Sequence, residues 1–355
     1  DETNNFFLKT IPDKQKIIGN LEEAWLFNLK DLNVCSQKGL VERFDSTIGA
    51  ASVLHPFGGK YQNTPAESMV AKLPVLTGDT STGTIISYGY TPDLALWNPF
   101  HSAVYAVVEA VSKIVASGGS HRSIRLTLQE YFEKLKKESK RWGKPFSSLL
   151  GALHAQKNFE IPAIGGKDSM SGTFEDISVP PTLVAIAVCP ADITTVISPE
   201  FKKVGSDIVF IPLKHKSDYL PDFQMLNKQY DRITELIESK KIISAHSVKT
   251  GGIAAAVSKM AFGNAIGIKF YDNIDIIKLF LPVIGSLICE VEYNDDTADL
   301  FSDIDHVLLG RTIKETKIIF GPVSISLSKA IDTWKLPMET LYPTEVSQEC
   351  LDVSI

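Results

Sequence analysis

One stretch near the middle of the chain, Ile161-Pro-Ala-Ile-Gly-Gly-Lys-Asp-Ser-Met-Ser171, constrains the fold more than any other. Its first four residues form an apolar run that reaches a Gly-Gly pair, which predicts a short strand leading into a turn. Lys167, Asp168 and Ser169 follow two residues without a Cβ, so backbone N–H groups there can approach an anion closely. Lys167 adds a positive charge, and Asp168 offers a carboxylate of the kind that binds Mg2+.

A second Gly-Gly pair lies far downstream, in Ala245-His-Ser-Val-Lys-Thr-Gly-Gly-Ile253. Apolar residues recur at helical spacing behind it, at Ile253, Val257, Met260 and Ala261. This pattern places Gly251 and Gly252 at the N-terminus of a helix, where unpaired N–H groups favour phosphate. Two such loops suggest a phosphorylated ligand, although a plain turn is the alternative interpretation of each pair.

Composition narrows the class of protein. The chain has 355 residues, of which 44% are hydrophobic and 22% charged, and this is typical of a soluble protein with enough residues for two cores. A net charge of −6 argues against nucleic acid or a membrane surface as the main partner. No apolar run approaches the ~20 residues of a membrane span. Since the cysteines show no pairing or metal-ligand spacing, we expect reduced thiols in a cytoplasmic protein, at Cys35, Cys189, Cys289 and Cys350.

The clearest helix is predicted to begin at Asn98-Pro-Phe-His and to end at Gly118-Gly119. Its apolar stripe consists of Val104, Val107, Val108, Val111, Ile114 and Val115. Glu109 and Lys113 lie four residues apart in it, in the favourable order for an ion pair. On these grounds alone the pair is a surface salt bridge that contributes a few tenths of a kcal/mol.

Two further helices are predicted at 127–144 and 146–159, followed by a buried strand at 182–189. A domain boundary is predicted between Asp192 and Gly205. Beyond it, strands and helices alternate without a clean βαβ run, so α+β describes the second region best. Helices are expected there near 225–240, 252–262 and 334–342, and strands near 208–213, 266–271, 285–293, 306–312 and 316–320.

Several segments, in this order, resemble phosphoribosylformylglycinamidine synthase in its long single-chain form. They are Asn98-Pro-Phe-His, Val108-Glu-Ala-Val-Ser-Lys-Ile-Val-Ala, the 161–171 stretch, Val179-Pro-Pro-Thr-Leu-Val-Ala-Ile-Ala, Ile197-Ser-Pro-Glu, Gly251-Gly-Ile, Met260-Ala-Phe and the closing Thr333-Trp and Leu341-Tyr-Pro. The resemblance covers roughly residues 15–345.

The resemblance implies the second of two tandem halves of the aminoimidazole ribonucleotide synthetase-like fold. Each half of that family has an α/β domain, which contributes to a shared central barrel, followed by an α+β domain. The implied limits here are 1–195 for the α/β domain, 204–345 for the α+β domain and 346–355 for a tail towards a glutaminase domain. The implied partners are the first synthetase-like half, the glutaminase domain and a ribonucleotide substrate, and the isolated half could also form a homodimer.

The activity implied is the ATP- and glutamine-dependent conversion of formylglycinamide ribonucleotide to the amidine in de novo purine biosynthesis. Catalytic residues are expected in the missing first half, so the isolated chain should be inactive. None of the seven histidines inherits the catalytic role, and His101 and His246 are expected to be helix-cap or loop residues. The loop that faces ATP, metal and ribonucleotide in the shared active site would be Gly166, Lys167, Asp168 and Ser169.

A second, auxiliary pocket of the family holds ADP with Mg2+, and this chain departs from its pattern. The residues that match the pocket are Ala66, Glu67, Glu109, Lys113, Ser247, Lys249, Gly251 and Gly252. Glu67 and Glu109 match metal ligands, but Lys113 and Ser247 replace the family's asparagine and aspartate. An ammonium among the ligands removes an oxygen and repels the metal, so Mg2+ binding is expected to be weak or absent. ADP could still bind through Lys113 and Lys249.

Two alternatives remain open. The chain could be a purely structural nucleotide-binding half, or a stand-alone synthetase or small-molecule kinase of the same superfamily that acts as a homodimer. The incomplete acidic set, through Lys113 and Ser247, argues against the stand-alone enzyme.

Overall fold

A computed structural model describes residues 5–9, 19–44, 51–292 and 297–345, and all structural statements below concern these residues. The predicted tail at 346–355, with Cys350, lies outside them. The helices are α1 Phe6–Lys9, α2 Leu21–Leu29, α3 Lys38–Val41, α4 Pro92–Trp97, α5 Pro99–Ala116, α6 Ser139–Phe159, α7 Phe223–Glu238, α8 Gly252–Phe262 and α9 Leu327–Glu339.

The strands fall into two large sheets and two small hairpins. They are β1 Ser52–Leu54, β2 Phe57–Gly58, β3 Thr64–Pro65, β4 Met69–Lys72, β5 Thr82–Gly89, β6 Arg125–Tyr131, β7 Ala163–Lys167, β8 Thr173–Phe174, β9 Ile177–Ser178, β10 Thr182–Asp192, β11 Asp207–Ile211, β12 Ile242–Ser247, β13 Gly267–Phe270, β14 Leu287–Val291, β15 Val307–Ile313, β16 Lys317–Phe320 and β17 Val323–Ser326.

The first sheet has six strands in the order β1-β4-β5-β10-β6-β7. Its pairs are antiparallel except for β6 and β7, which run parallel. The second sheet has seven strands in the order β12-β14-β11-β15-β13-β16-β17, with a single parallel pair between β13 and β16.

Helix α5 lies between the two sheets, because it packs against β5 and β10 of the first and against β12 of the second. The side-chain oxygen of Asn98 accepts hydrogen bonds from the N–H groups of Phe100 and His101 and so caps its start. Gly118 follows its end with φ +93°, a left-handed conformation that glycine adopts without strain. Every residue from 102 to 116 is buried, as expected for a helix surrounded by protein. The predicted limits of this helix are confirmed.

The second core is completed by α2, from the opposite end of the chain. Trp25, Leu29 and Val34 pack there with residues of α8 and α9, and each is 0 or 1% exposed. The Trp25 indole Nε1 donates a hydrogen bond of 2.9 Å to Oγ of Ser258. The predicted domain limits remain predictions, and this contact joins residues that those limits assign to different domains.

Three predicted elements are wrong. Residues 125–131 form strand β6 instead of a helix, and one continuous helix, α6, follows from Ser139 through Pro145 to Phe159. The last helix begins at Leu327, seven residues before the predicted start at Trp334, and its end at Glu339 precedes Tyr342. The strand predicted to end at the Gly-Gly pair continues through it to Lys167.

Candidate functional site

An open cavity of about 830 Å³ lies between the exposed face of the first sheet, the loop before β4 and helix α8. Its charged lining residues are Glu67, Lys113, Lys249 and Lys259. Ala66 also lines it, beside aromatic side chains from three segments, Phe57, Tyr88 and Trp334. A cavity of this size with a few convergent charged groups fits a small-molecule ligand.

Glu67 is an acidic residue of the cavity lining whose two carboxylate oxygens both have hydrogen-bond donors. Its Oε2 accepts a hydrogen bond of 2.8 Å from the backbone N–H of Ser247, and its Oε1 lies 3.1 Å from Nζ of Lys249. Burial raises the pKa of this carboxyl group, but His246, Lys249, Lys113 and the Ser247 hydrogen bond outweigh that effect and hold the pKa well below its usual range. Glu67 is therefore ionised at neutral pH.

His246 lies on β12 behind Glu67, and this corrects the expectation that it is a helix-cap or loop residue. Its Nδ1 lies 2.6 Å from the carbonyl oxygen of Ser247, which can only accept, so Nδ1 carries the proton. Its Nε2 lies 3.5 Å from Oε1 of Glu67. Burial lowers the pKa of His246 to about 4, against the opposing effect of Glu67, so the ring is neutral at pH 7. His101 lies in the first turn of α5, and its Nε2 is 2.8 Å from the carbonyl oxygen of Asp218.

Glu109 and Lys113 form an ion pair on α5, with 2.7 Å between Oε1 and Nζ. The pair is buried, with side chains 7% and 5% exposed, so the interpretation as a surface salt bridge is wrong. Nζ of Lys113 also donates to the carbonyl oxygen of Tyr88 at 2.6 Å and lies 4.3 Å from the centre of the Tyr88 ring. The backbone N–H of Tyr90 donates to Oε2 of Glu109 at 3.2 Å.

The donor set of this cavity does not fit a divalent metal. Both oxygens of Glu67 and both oxygens of Glu109 already accept from N–H or ammonium groups. Two ammonium groups, on Lys113 and Lys249, stand where further oxygen ligands would be needed. Within residues 5–9, 19–44, 51–292 and 297–345, no group of three or more His, Cys, Asp or Glu side chains could hold a metal ion.

The second Gly-Gly pair begins α8 as predicted, with Gly251 at φ +87° and Gly252 at φ +65°. Both glycines are buried against protein. The carbonyl oxygen of Gly251 accepts from Nδ2 of Asn28, and a Cβ at position 252 would meet the carbonyl oxygen of Leu279 at 2.5 Å. Neither glycine lines the cavity, and Ser247 reaches Glu67 with its backbone N–H. Their assignment to a nucleotide stays a prediction.

The loop predicted for the shared active site lies at the edge of the first sheet. Gly166, Lys167 and Asp168 are exposed, and Ser169 is half-buried. A Cβ at position 166 would meet the carbonyl oxygen of Leu128 at 2.6 Å, so the close pairing of β7 with β6 requires glycine there. The N–H of Ser169 donates to the carbonyl oxygen of Glu130, and its Oγ lies 2.9 Å from Oγ of Ser171.

Two charged residues near these sites are absent from the prediction. Glu130 is 5% exposed beside the 166–169 loop, and burial, followed by the charge of Asp168, raises its pKa to about 7. Lys259 lines the cavity from α8. Each has a signal in the sequence. Glu130 shares the apolar face of β6 with Leu126 and Leu128, and Lys259 is the one charged residue in the largely apolar helix α8.

Comparisons with known proteins found relatives in sequence and neighbours in structure. No family model matches the chain. The phosphoribosylformylglycinamidine synthase subunit PurL of Thermoplasma volcanium is 25% identical over 308 residues, which cover 79% of this chain and 39% of that subunit. The same subunit of Picrophilus torridus is 25% identical over 321 residues, which cover 86% of this chain and 40% of the subunit. The chain is a relative of phosphoribosylformylglycinamidine synthase. It spans less than half the length of these synthase relatives.

Solved structures agree in fold with this relative of the synthase. Thermotoga maritima PurL complexed with FGAR superposes with a TM-score of 0.65 at 10% identity, covering 91% of this chain and 56% of that one. ThiL of Aquifex aeolicus complexed with AMPPCP and TMP gives a TM-score of 0.53 at 12% identity, covering 75% of this chain and 90% of that one. The predicted fold class, an α/β and α+β half of the aminoimidazole ribonucleotide synthetase-like fold, is confirmed. No helix within the described ranges is long and apolar enough to cross a membrane.

Proposed function

We propose that the chain is the second synthetase-like half of a phosphoribosylformylglycinamidine synthase. In this role it is part of an ATP-dependent carbon-nitrogen ligase that converts formylglycinamide ribonucleotide to the amidine with ammonia from glutamine. The observation that carries the proposal is the sequence similarity to two synthase subunits. The matched region covers 79% and 86% of this chain and about two fifths of the length of each subunit. Its partners would be the first half and a glutaminase domain, in the cytoplasm.

The exposed 166–169 loop is the part of this chain that we assign to the shared active site. Gly166 brings backbone close to a ligand, Lys167 is an exposed cation, and the half-buried Ser169 can hydrogen-bond a substrate phosphate or hydroxyl. In the proposed reaction, ATP phosphorylates the amide oxygen, and ammonia then displaces phosphate at carbon. Groups such as Lys167 would neutralise the phosphoryl group in transfer.

We assign the 830 Å³ cavity to an auxiliary nucleotide, bound by lysines in place of a metal. The support is physical: the carboxylates of the cavity are already paired, and ammonium groups line it. Aromatic side chains at Phe57 and Tyr88 provide apolar surface for a base. PurL of Thermotoga maritima has been solved in complexes with ATP and with ADP, which is consistent with nucleotide binding in this fold.

The test is reconstitution. The chain, produced together with the first half and glutaminase domain of the same synthase, should release ADP only when formylglycinamide ribonucleotide and glutamine or ammonium are present. The chain alone should not turn over. Ser169→Ala in the assembly should lower kcat/KM by about 10- to 100-fold, the loss of one hydrogen bond to a charged group. Ser324→Ala, at an exposed serine of β17, is the control and should leave the rate unchanged.

Two outcomes contradict the proposal. ATP turnover by the chain alone would identify a stand-alone enzyme. An assembly that forms but releases no ADP with any combination of these substrates would remove the synthase assignment.

A further inference from the structure

The three lysines of the cavity differ in the number of donors they have left for a ligand. Nζ of Lys113 donates to Glu109 and to the Tyr88 carbonyl group and faces the Tyr88 ring. An ammonium has three N–H groups, so this one is almost fully engaged. Lys113, which occupies the position of a metal ligand in the family pattern, is therefore a poor choice for binding a further anion.

Lys249 and Lys259 have free capacity. Lys249 has one acceptor, Oε1 of Glu67 at 3.1 Å, and its side chain is 27% exposed towards the open cavity. For Lys259, no carboxylate of the described ranges lies within 4 Å of Nζ. A largely desolvated ammonium without an anionic partner is unfavourable, and a ligand that supplies the anion would remove that cost.

The balance of charges in and beside the cavity also favours an anionic ligand. Three lysines and Glu67 line the cavity, and Glu109 lies beside it on α5. Each of the two carboxylates is already paired with one lysine. When Lys259 is protonated, one positive charge is left over, and it belongs to this lysine. A phosphate group would neutralise this charge, whereas a cation would add to it.

We propose that Lys249 and Lys259 form the phosphate-binding end of the cavity, and that this end takes a diphosphate group without a metal ion. The inference rests on the auxiliary nucleotide pocket of the proposed function and identifies which residues hold the phosphates. It replaces Lys113 by Lys259 as the second phosphate-binding lysine.

The binding should also be coupled to a proton. Several charged or titratable groups from separate segments act on Lys259, and they are Cys35, Glu67, Lys113, His246 and Lys249. Burial, followed by the repulsion from Lys249, lowers the pKa of Lys259 to about 7. An anion at Nζ favours the charged form, so binding above pH 7 takes up a proton at Lys259, and the contribution of Lys259 to the affinity falls as the pH rises.

The experiment is calorimetric titration of the chain with inorganic pyrophosphate and with ADP, in EDTA, at pH 6.5 and 8.5. Lys259→Met should weaken pyrophosphate binding at pH 6.5 by about tenfold or more, as expected for the loss of a charge-assisted hydrogen bond. Lys249→Met should do the same. Lys269→Met, at an exposed lysine of β13, is the matched control and should have no effect. The loss of affinity caused by Lys259→Met should be smaller at pH 8.5 than at pH 6.5, because Lys259 is mostly uncharged at the higher pH.

Three results would overturn the inference: pyrophosphate affinity that Lys259→Met leaves unchanged, a loss of affinity in Lys259→Met that is the same at both pH values, or no pyrophosphate binding without Mg2+. These results leave the synthase assignment intact, because that assignment depends on ADP release by the reconstituted assembly. Conversely, if the assembly is inactive but its second half binds pyrophosphate through Lys259, only the assignment of synthase activity is contradicted.

Discussion

Breaking the Glu109–Lys113 pair should destabilise the fold far more than breaking a surface pair of the same geometry. Lys113→Met leaves Oε1 of Glu109 without a partner at a site where the carboxylate side chain is 7% exposed. Removal of one partner from a buried pair costs about 3–5 kcal/mol, whereas an exposed pair contributes about 0–1 kcal/mol. The control is Lys329→Met, which breaks an exposed ion pair of 2.8 Å with Glu22 and should cost less than about 1 kcal/mol.

Urea unfolding at pH 7 measures both values, with the m-value checked for each variant. Glu109→Gln should cost less than Lys113→Met, because Lys113 keeps the Tyr88 carbonyl group and ring as partners. The double variant should be more stable than the sum of the two losses predicts, by at least about 1 kcal/mol, since it leaves no unpaired charge. The reasoning is refuted if Lys113→Met costs no more than Lys329→Met, or if the two losses at the pair simply add.

Two further predictions concern stability. Gly143→Ala and Gly151→Ala both place alanine inside α6, where helix propensity alone favours each by up to about 1 kcal/mol. At position 143 no atom lies within 4 Å of a new Cβ, so Gly143→Ala should stabilise the fold. At position 151 the Cβ would meet the carbonyl oxygen of Phe100 at 2.2 Å, so Gly151→Ala should destabilise the fold by about 1–3 kcal/mol. Equal shifts of the melting temperature in the two variants would contradict this. Burial lowers the pKa of His121 and of His246 from 6.5 to about 4. Between these pH values the unfolded chain binds protons at both histidines and the folded chain does not, so the free energy of unfolding should fall as the pH drops from 7 towards 4. Urea midpoints at pH 7, 6 and 5 test this, with a smaller drop in His121→Gln, and a flat profile would disprove it.

Local signals in the sequence were enough for many elements. The limits of α8 agree with the prediction, and the capping of α5 by Asn98 and its end at Gly118 follow from rules about single residues. Strand β6 was predicted wrongly because the Lys- and Glu-rich residues after it are typical of a solvated helix, while its strand partners, β7 and β10, lie much later in the chain.

In the candidate site, too, contacts between residues far apart in the sequence could not be predicted. The Glu109–Lys113 pair is visible as an i, i+4 spacing, but its burial depends on the two sheets that enclose α5. Glu67 and Lys249 are 182 residues apart, and no periodicity connects them. Lys259 could be noticed as a charge within an apolar helix, but the absence of a carboxylate partner among the described residues is a property of the folded surroundings.

The packing of α2 into the second core has a consequence for biosynthesis. Trp25 is synthesised before its partner Ser258, which follows 233 residues later. At translation rates of 5–20 residues per second, about 10–50 s pass between the synthesis of Trp25 and the synthesis of the helix against which it packs. During that interval the apolar face of α2 is available to chaperones and to other nascent chains. A fragment that starts after this helix would leave a hole beside α8 and α9, so the second region depends for its completion on a helix that is synthesised long before it.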